Sequence, residues 1–280
     1  MGEIINVKEI IERKKIDLKE KVEYLKKDGI NPKLVVIHAN QDEASNIYIS
    51  KKRKMCEELG ILEEEYDFDE SVTQEEILQL LDKLNQDENV HGILVQLPIF
   101  NHLDSKEILE AISPKKDVDG FHPINIGKLM QGVGGVAPCT PKGVMTILDE
   151  LNINVEGKNA TVIGRSIIVG RPMGALLLNK GATVTTCHSK TPNLKEHTKN
   201  ADILVVAVGK PHLVTEDMVK EGAIVIDVGI NRVDGKLIGD VDTENVAEKA
   251  KYITPVPGGV GLTTVYTLME NVIELAEQNK

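Results

Sequence analysis

Apolar positions along the chain fall into short unbroken runs separated by amphipathic stretches, and this alternation sets the order of elements. Up to about Gly29, charged and aliphatic residues recur at helical spacing and predict an amphipathic helix. "KLVVIH" and "GILVQLP" are apolar enough for strands of a sheet covered on both faces. Between them the spacing predicts helices around Tyr48 to Leu59 and from about Gln74 to Leu84.

Between Pro114 and Pro141 the texture changes to Pro and Gly punctuation, too irregular for one element, which reads as ligand-facing loops plus a domain crossing. Thr140 then has the character of an N-cap, with Pro141 at the first helical position of a helix to Leu151. "NATVIG", "GATVTTC", "ADILVVAVG" and "GAIVIDVG" follow as four strands with helical segments between them. That order is expected of a doubly wound parallel sheet and places the chain in the α/β class. A last helix, Thr264 to Gln278, is long enough that it must dock on a preceding layer.

Composition narrows the partners. The 280 residues suffice for about two domains, and a cleft between two domains is a natural place for a ligand. With no Trp and only 3% aromatic residues, the cores must be built from Ile, Leu and Val. A formal charge of -11 argues against a general nucleic-acid or membrane-surface binder, yet leaves room for a small anion in a locally basic cleft. Cys56, Cys139 and Cys187 are odd in number and form no CxxC pair, which fits a reducing compartment, small apolar filler and no metal site. The N-terminal stretch lacks the apolar core of a signal peptide, and Asn6 excludes a myristoylation motif at Met1-Gly2. No apolar run approaches the roughly 18 residues of a membrane span, so a cytoplasmic protein is expected.

Three stretches carry candidate chemistry. "VIGRSIIVGRPMG" follows a strand and opens a helix, so Gly164 and Gly170 can let backbone N–H groups approach a pyrophosphate; its spacing is not G-x-G-x-x-G, and an ordinary strand-to-helix turn is the alternative. At the end of the next strand, where an acidic residue would take the ribose of NAD, "TTCHSKT" has no carboxylate. Arg165, Ser189 and Lys190 can instead receive a 2'-phosphate, which favours NADP over NAD. His188 receives no catalytic role. In "YISKKRK", a rotation of about 100° per residue lines Tyr48, Lys52, Met55 and Leu59 along one stripe, while Arg53 and Lys54 point away. Lys52 is therefore the inward cation, or else a lysine snorkelling from the stripe's edge. Gln96 ends an apolar strand, where it can donate and accept toward a ligand or merely cap the edge. Asp117 and Asp119 are not separable as ligand and turn cap from the residues alone, and the glycines of "PVPGGVG" suit either close ligand approach or an Ω-type linker.

Taken together, "EASNIYISKKRK", "GILVQLP", "PKKDVDGFHPINIGKL", "PCTPKG", "VIGRSIIVGRP", "CHSKT", "IDVGINR", "GDVD" and "PVPGGVG" occur in an order that resembles the methylenetetrahydrofolate dehydrogenase/cyclohydrolase family over nearly the whole chain. The resemblance implies two open α/β domains with a cleft between them. Residues 1–139 would form a folate-binding catalytic domain on which a C-terminal helix, 263–280, packs back, and residues 140–262 a Rossmann-like NAD(P)-binding domain. It implies a homodimer that oxidises methylenetetrahydrofolate to the methenyl form and hydrolyses this to formyltetrahydrofolate. Residue by residue, it gives catalytic roles to Lys52, Tyr48, Gln96 and Asp119, with Asp119 on the pterin, and places Leu97, Gly258 and Gly259 beside the folate. Gly164, Arg165, Ser166, Gly170, Ser189, Gly209 and Ile230 would hold the dinucleotide. Where the family has Pro-Met after "GGVG", this chain has Leu262-Thr263, also expected beside the folate. A monofunctional dehydrogenase, possibly NAD-linked and weak in hydrolysis, and a non-catalytic folate- or nucleotide-sensing module are the competing readings. The intact Lys52, Gln96 and Asp119 count against the second.

Overall fold

The computed structural model describes residues 2–278, apart from the side chains of Glu43 and Ala44; Met1 and the last two residues of the expected 263–280 helix lie outside the described residues. Along the chain run β1 (Glu3–Ile4), α1 (Val7–Lys27), β2 (Lys33–His38), α2 (Glu43–Leu59), β3 (Leu62–Asp67), α3 (Gln74–Gln86), β4 (Gly92–Gln96), α4 (Ser105–Ala111), α5 (Pro123–Gln131) and α6 (Cys139–Glu150). There follow β5 (Asn159–Ile163), α7 (Gly170–Asn179), β6 (Thr183–Cys187), α8 (Leu194–Thr198), β7 (Ile203–Val206), β8 (Ile224–Asp227), β9 (Asn231–Val233), β10 (Lys236–Ile238), α9 (Thr243–Val246), β11 (Tyr252–Ile253) and α10 (Val260–Gln278).

The chain divides into two compact units: residues 13–139 with 265–280, and residues 1–12 with 140–264. The first holds a three-stranded parallel sheet of order β3-β2-β4. One face of this sheet carries Val35, Ile37, Ile93 and Val95 against Ile77, Leu81 and Leu84 of α3, all fully buried. Side chains alternate between faces, so the opposite face carries Leu34, Val36 and His38 of β2 beside Glu63, Glu65 and Asp67 of β3. α3 starts at a capping box in which the Thr73 hydroxyl accepts from Glu76 N–H and the Glu76 carboxylate accepts from Thr73 N–H.

The second unit holds a six-stranded sheet of order β1-β11-β8-β7-β5-β6, parallel at every pair. The four strands expected from "NATVIG" to "GAIVIDVG" all lie in it. The first twelve residues differ from the expected 1–139 boundary: β1 pairs with β11, aligning Glu3 with Tyr252 and Ile4 with Ile253, which ties them to the six-stranded unit.

Two further details depart from the sequence reading. The Pro and Gly stretch contains a nine-residue helix, α5, because the His122 ring caps Ile124 N–H, Pro123 occupies the first turn, and Gly132, with φ of 68°, closes the helix in the left-handed conformation. α6 begins at Cys139, so Thr140 lies inside the helix instead of capping it; its hydroxyl is 3.0 Å from that of Thr264.

Candidate active site

In the three-stranded unit, α2 carries Tyr48 and Lys52 one turn apart. Lys52 is only 8% exposed, whereas Lys51, Arg53 and Lys54 are exposed, as the stripe predicts. Arg53 forms ion pairs with Glu65 and Glu63 of β3, and the Lys51 ammonium lies 5.5 Å from the centre of the Tyr48 ring.

Lys52 Nζ donates to Gln96 Oε1 at 2.7 Å. Gln96 Nε2 donates in turn to the Leu97 carbonyl at 2.8 Å, which fixes the amide with its oxygen toward the lysine. Burial pushes the Lys52 pKa below that of an ordinary lysine, while the nearby Asp119 carboxylate acts in the opposite sense. Burial likewise pushes the Asp119 carboxyl up to about 6 against the pull of Lys52. Burial raises the Tyr48 phenol as well, and takes the Cys56 thiol to about 12.

The structure separates the two aspartates that sequence left paired. Asp117 is 2% exposed and accepts from Phe121 N–H, His122 N–H and Asn125 Nδ2, so it organises the turn before α5. Asp119 stands in the field of Lys52, with the Cys139 thiol as a side-chain hydrogen-bond partner. Sequence reasoning missed Asn271 of α10, which is fully buried and donates to the Val118 and Ala137 carbonyls, clamping the segment that carries Asp119. Its only signal was an amide amid the apolar positions of "ENVIELA".

In the six-stranded unit, the turn after β5 is closed by glycines. Gly164 has φ of 135°, and a Cβ there would lie 2.4 Å from the Ala207 carbonyl oxygen. A Cβ on Gly170 would lie 2.3 Å from the Gly164 oxygen. This cradle opens α7, whose first N–H groups suit a pyrophosphate. A cavity of about 390 Å³ beside it is lined by Gly164, Arg165, His188, Ser189 and Lys210. Arg165 and Ser189 thus meet at one cavity with no carboxylate in its lining, the chemistry a 2'-phosphate needs. The Ser166 hydroxyl instead accepts from Val169 N–H and Gly170 N–H, so it shapes the turn.

The sequence reading gave no role to Asp240 and Asp227. Asp240 accepts from the N–H groups of Val208, Gly209 and Lys210 and from Asn231, fixing the loop in which Gly209 adopts φ of 64°. Asp227 accepts from Gly229, Asp240 and Val241 N–H, and burial pushes its carboxyl up to about 6. Ile230, between them in sequence, is 47% exposed. Gly258 has φ of 95°, and a Cβ on Gly259 would lie 2.2 Å from the Pro255 oxygen, so both glycines are required by the local backbone. Thr263 differs from the expectation of a ligand-facing position: it is fully buried, donates to the Val260 carbonyl, and packs where a Cβ on Gly143 would meet it at 2.8 Å.

The chain is similar to known proteins over nearly its whole length. Residues 5–119 match the catalytic domain, and residues 138–280 the NAD(P)-binding domain, of the tetrahydrofolate dehydrogenase/cyclohydrolase models. The chain is 55% identical over 276 residues to the bifunctional protein FolD of Bacillus cytotoxicus, covering 98% of this chain and 96% of that one. Among solved structures, the bifunctional FolD methylenetetrahydrofolate dehydrogenase/cyclohydrolase of Campylobacter jejuni is 50% identical with a TM-score of 0.98, each chain covered in full. The Trypanosoma brucei enzyme, solved with NADP cofactor and inhibitor, is 35% identical with a TM-score of 0.94, covering 99% of this chain and 98% of its own.

Proposed function

The chain belongs to the tetrahydrofolate dehydrogenase/cyclohydrolase family, and on that premise we propose that it oxidises 5,10-methylenetetrahydrofolate with NADP and hydrolyses the 5,10-methenyl product to 10-formyltetrahydrofolate. The observation that carries this reading is the buried Lys52 held by Gln96 in the field of Asp119. The folate belongs to residues 13–139 with 265–278, and the dinucleotide to residues 140–264.

The two steps ask different things of the protein. Oxidation removes hydride from the one-carbon bridge, and the cation that forms is shared by the two flanking nitrogens, so no strong acid or base is needed. NADP, when bound, supplies the hydride acceptor. The protein's part is positioning: Asp119 accepts N–H groups of the pterin, and Gly164, Gly170 and Gly209 give backbone access to the dinucleotide. Arg165 and Ser189 take its 2'-phosphate, and Ile230 lies near its nicotinamide.

Hydrolysis needs a base. Water adds to the methenyl carbon as one of its protons passes to the lone pair of neutral Lys52 Nζ; the second then passes to the ring nitrogen as the carbon–nitrogen bond breaks, so that nitrogen leaves as an amine and the formyl C=O forms. Burial favours the neutral lysine, and Gln96 Oε1 accepts one of its N–H groups, which orients the lone pair. Tyr48, one turn back on the same face, borders the reacting carbon, and Leu97 shapes the folate's surroundings.

Among the described residues no helix is long and apolar enough to cross a membrane. With the charge of -11 this supports a cytoplasmic enzyme, which acts as a homodimer; sedimentation at monomer mass would remove the dimer. A single spectrophotometric assay tests the function, following nicotinamide reduction with NADP and with NAD and the decay of methenyltetrahydrofolate in the same sample. Reduction without methenyl decay above the spontaneous rate would leave a monofunctional dehydrogenase, and neither signal would leave a binding module.

A further inference from the structure

At the carboxyl ends of β2 and β3, His38, Glu65 and Asp67 project from the α2 face of the three-stranded sheet, His38 directly opposite Asp67. One ligating atom from each lies within 4.8 Å of the others. His38 is 7% exposed and Glu65 is largely covered, while Asp67 opens to solvent.

The hydrogen bonds around His38 leave one proton too few for a neutral ring. Nδ1 is 2.9 Å from Asp67 Oδ1, and Nε2 is 3.2 Å from Asn40 Oδ1. The Asn40 amide cannot be turned over, because its nitrogen donates to the Pro98 carbonyl at 2.6 Å and its oxygen accepts from Asp42 N–H at 2.8 Å. Both ring nitrogens therefore face oxygens that only accept, whereas a neutral imidazole has one N–H. With that hydrogen on Nε2, the Nδ1 lone pair confronts a carboxylate oxygen, a contact that either a second ring proton or a metal ion between the two atoms would satisfy.

We propose that His38 Nδ1, Asp67 and Glu65 bind a divalent transition-metal ion, of which zinc is the representative. The Nε2–H bond to Asn40 is then the orienting bond that metal-bound histidines make through their second nitrogen. One imidazole nitrogen and two carboxylate oxygens suit zinc, cobalt or manganese, and leave coordination positions for water. At metal–ligand distances of about 2.1 Å, donor atoms stand about 3.4 Å apart, so the His38–Asp67 contact widens slightly and Glu65 draws inward. Arg53 already pairs with Glu65 and is half-exposed, so an ion here must either displace it or share the carboxylate with it. The site borders the Lys52–Gln96 pair, because His38 is aligned with Gln96 across β2 and β4, but it uses none of the residues given to the folate or the dinucleotide.

The test uses the full chain, freed of metal by a chelator and titrated with Zn²⁺ by calorimetry and with Co²⁺ by visible absorption. One ion per chain is expected, lost in His38→Gln and weakened tenfold or more in Asp67→Asn. Because Asp67 is solvent-exposed, Asp67→Asn should keep wild-type dehydrogenase activity, which shows that it is folded. No stoichiometric ion in the wild type, or equal affinity in the wild type and Asp67→Asn, would mean that His38 holds a second proton instead, and overturns the proposal.

Discussion

Lys52 Nζ and Gln96 Oε1, from α2 and the end of β4, are joined by a 2.7 Å hydrogen bond whose direction is set by the Leu97 carbonyl behind the amide. The amide is neutral, so it orients the lysine without stabilising the ammonium as a carboxylate would. Gln96→Glu should therefore raise the pKa of Lys52 and move the rise of cyclohydrolase kcat with pH upward by about one unit or more. An unchanged pH profile would detach Gln96 from the base.

Lys52→Met removes the base but keeps the length and apolar stem of the side chain. Cyclohydrolase activity should fall by about 100-fold or more, within the range for loss of a general base, while folate binding persists. Stability should move the other way. A lysine whose folded pKa is depressed contributes stability above its unfolded pKa and loses it as pH falls through the folded value. At pH 7 the buried Lys52 is thus a cost, and the methionine variant should unfold at higher denaturant concentration than the wild type.

Asp119 has the opposite linkage. Its carboxyl is pushed from 3.8 to about 6, so its stability contribution is complete below the unfolded pKa and lost as pH rises through about 6. Two units correspond to roughly 3 kcal/mol as an upper bound. Asp119→Asn should gain up to that amount over the wild type between pH 4 and pH 8, by denaturant unfolding at each pH. Asp227 titrates with the same sign, so the difference between the two proteins is the quantity to follow.

Arg165→Ala should lower kcat/KM for NADP by about ten- to a hundredfold, the worth of a charge-assisted bond to phosphate, with little effect on NAD. Equal losses with both cofactors would place Arg165 elsewhere than on the 2'-phosphate.

What the sequence made legible follows from how local each signal is. Lys52 stood out because a buried cation one turn from Tyr48 is visible in a helical projection. Three of the four expected strands, β5, β7 and β8, were visible because they are buried on both faces, while β6, half-exposed at the sheet edge, was visible from its place in the alternation of elements. β3 escaped notice because "LEEEYD" carries three consecutive glutamates, and its role as a strand depends on Arg53 and Lys33 pairing with them across elements. β1 contains two residues, too few for any periodicity, and its place in the sheet comes from pairing with β11. Asp240 and Asp227 sat inside motifs that could be quoted, but their work is accepting backbone N–H groups brought together only by the folded loops.

Asn271 also bears on the order in which the chain matures. Its amide closes the Val118 carbonyl across 153 residues, and its helix completes the unit that starts at residue 13. The six-stranded unit ends at residue 264. During synthesis the three-stranded unit is therefore finished last, although all but its final helix is made before residue 140, and Lys52 waits with its surroundings incomplete while the six-stranded unit is already fully synthesised. A ribosome-bound chain arrested after residue 264, with that residue clear of the exit tunnel, should be protease-resistant in the six-stranded unit and cleaved in the three-stranded one.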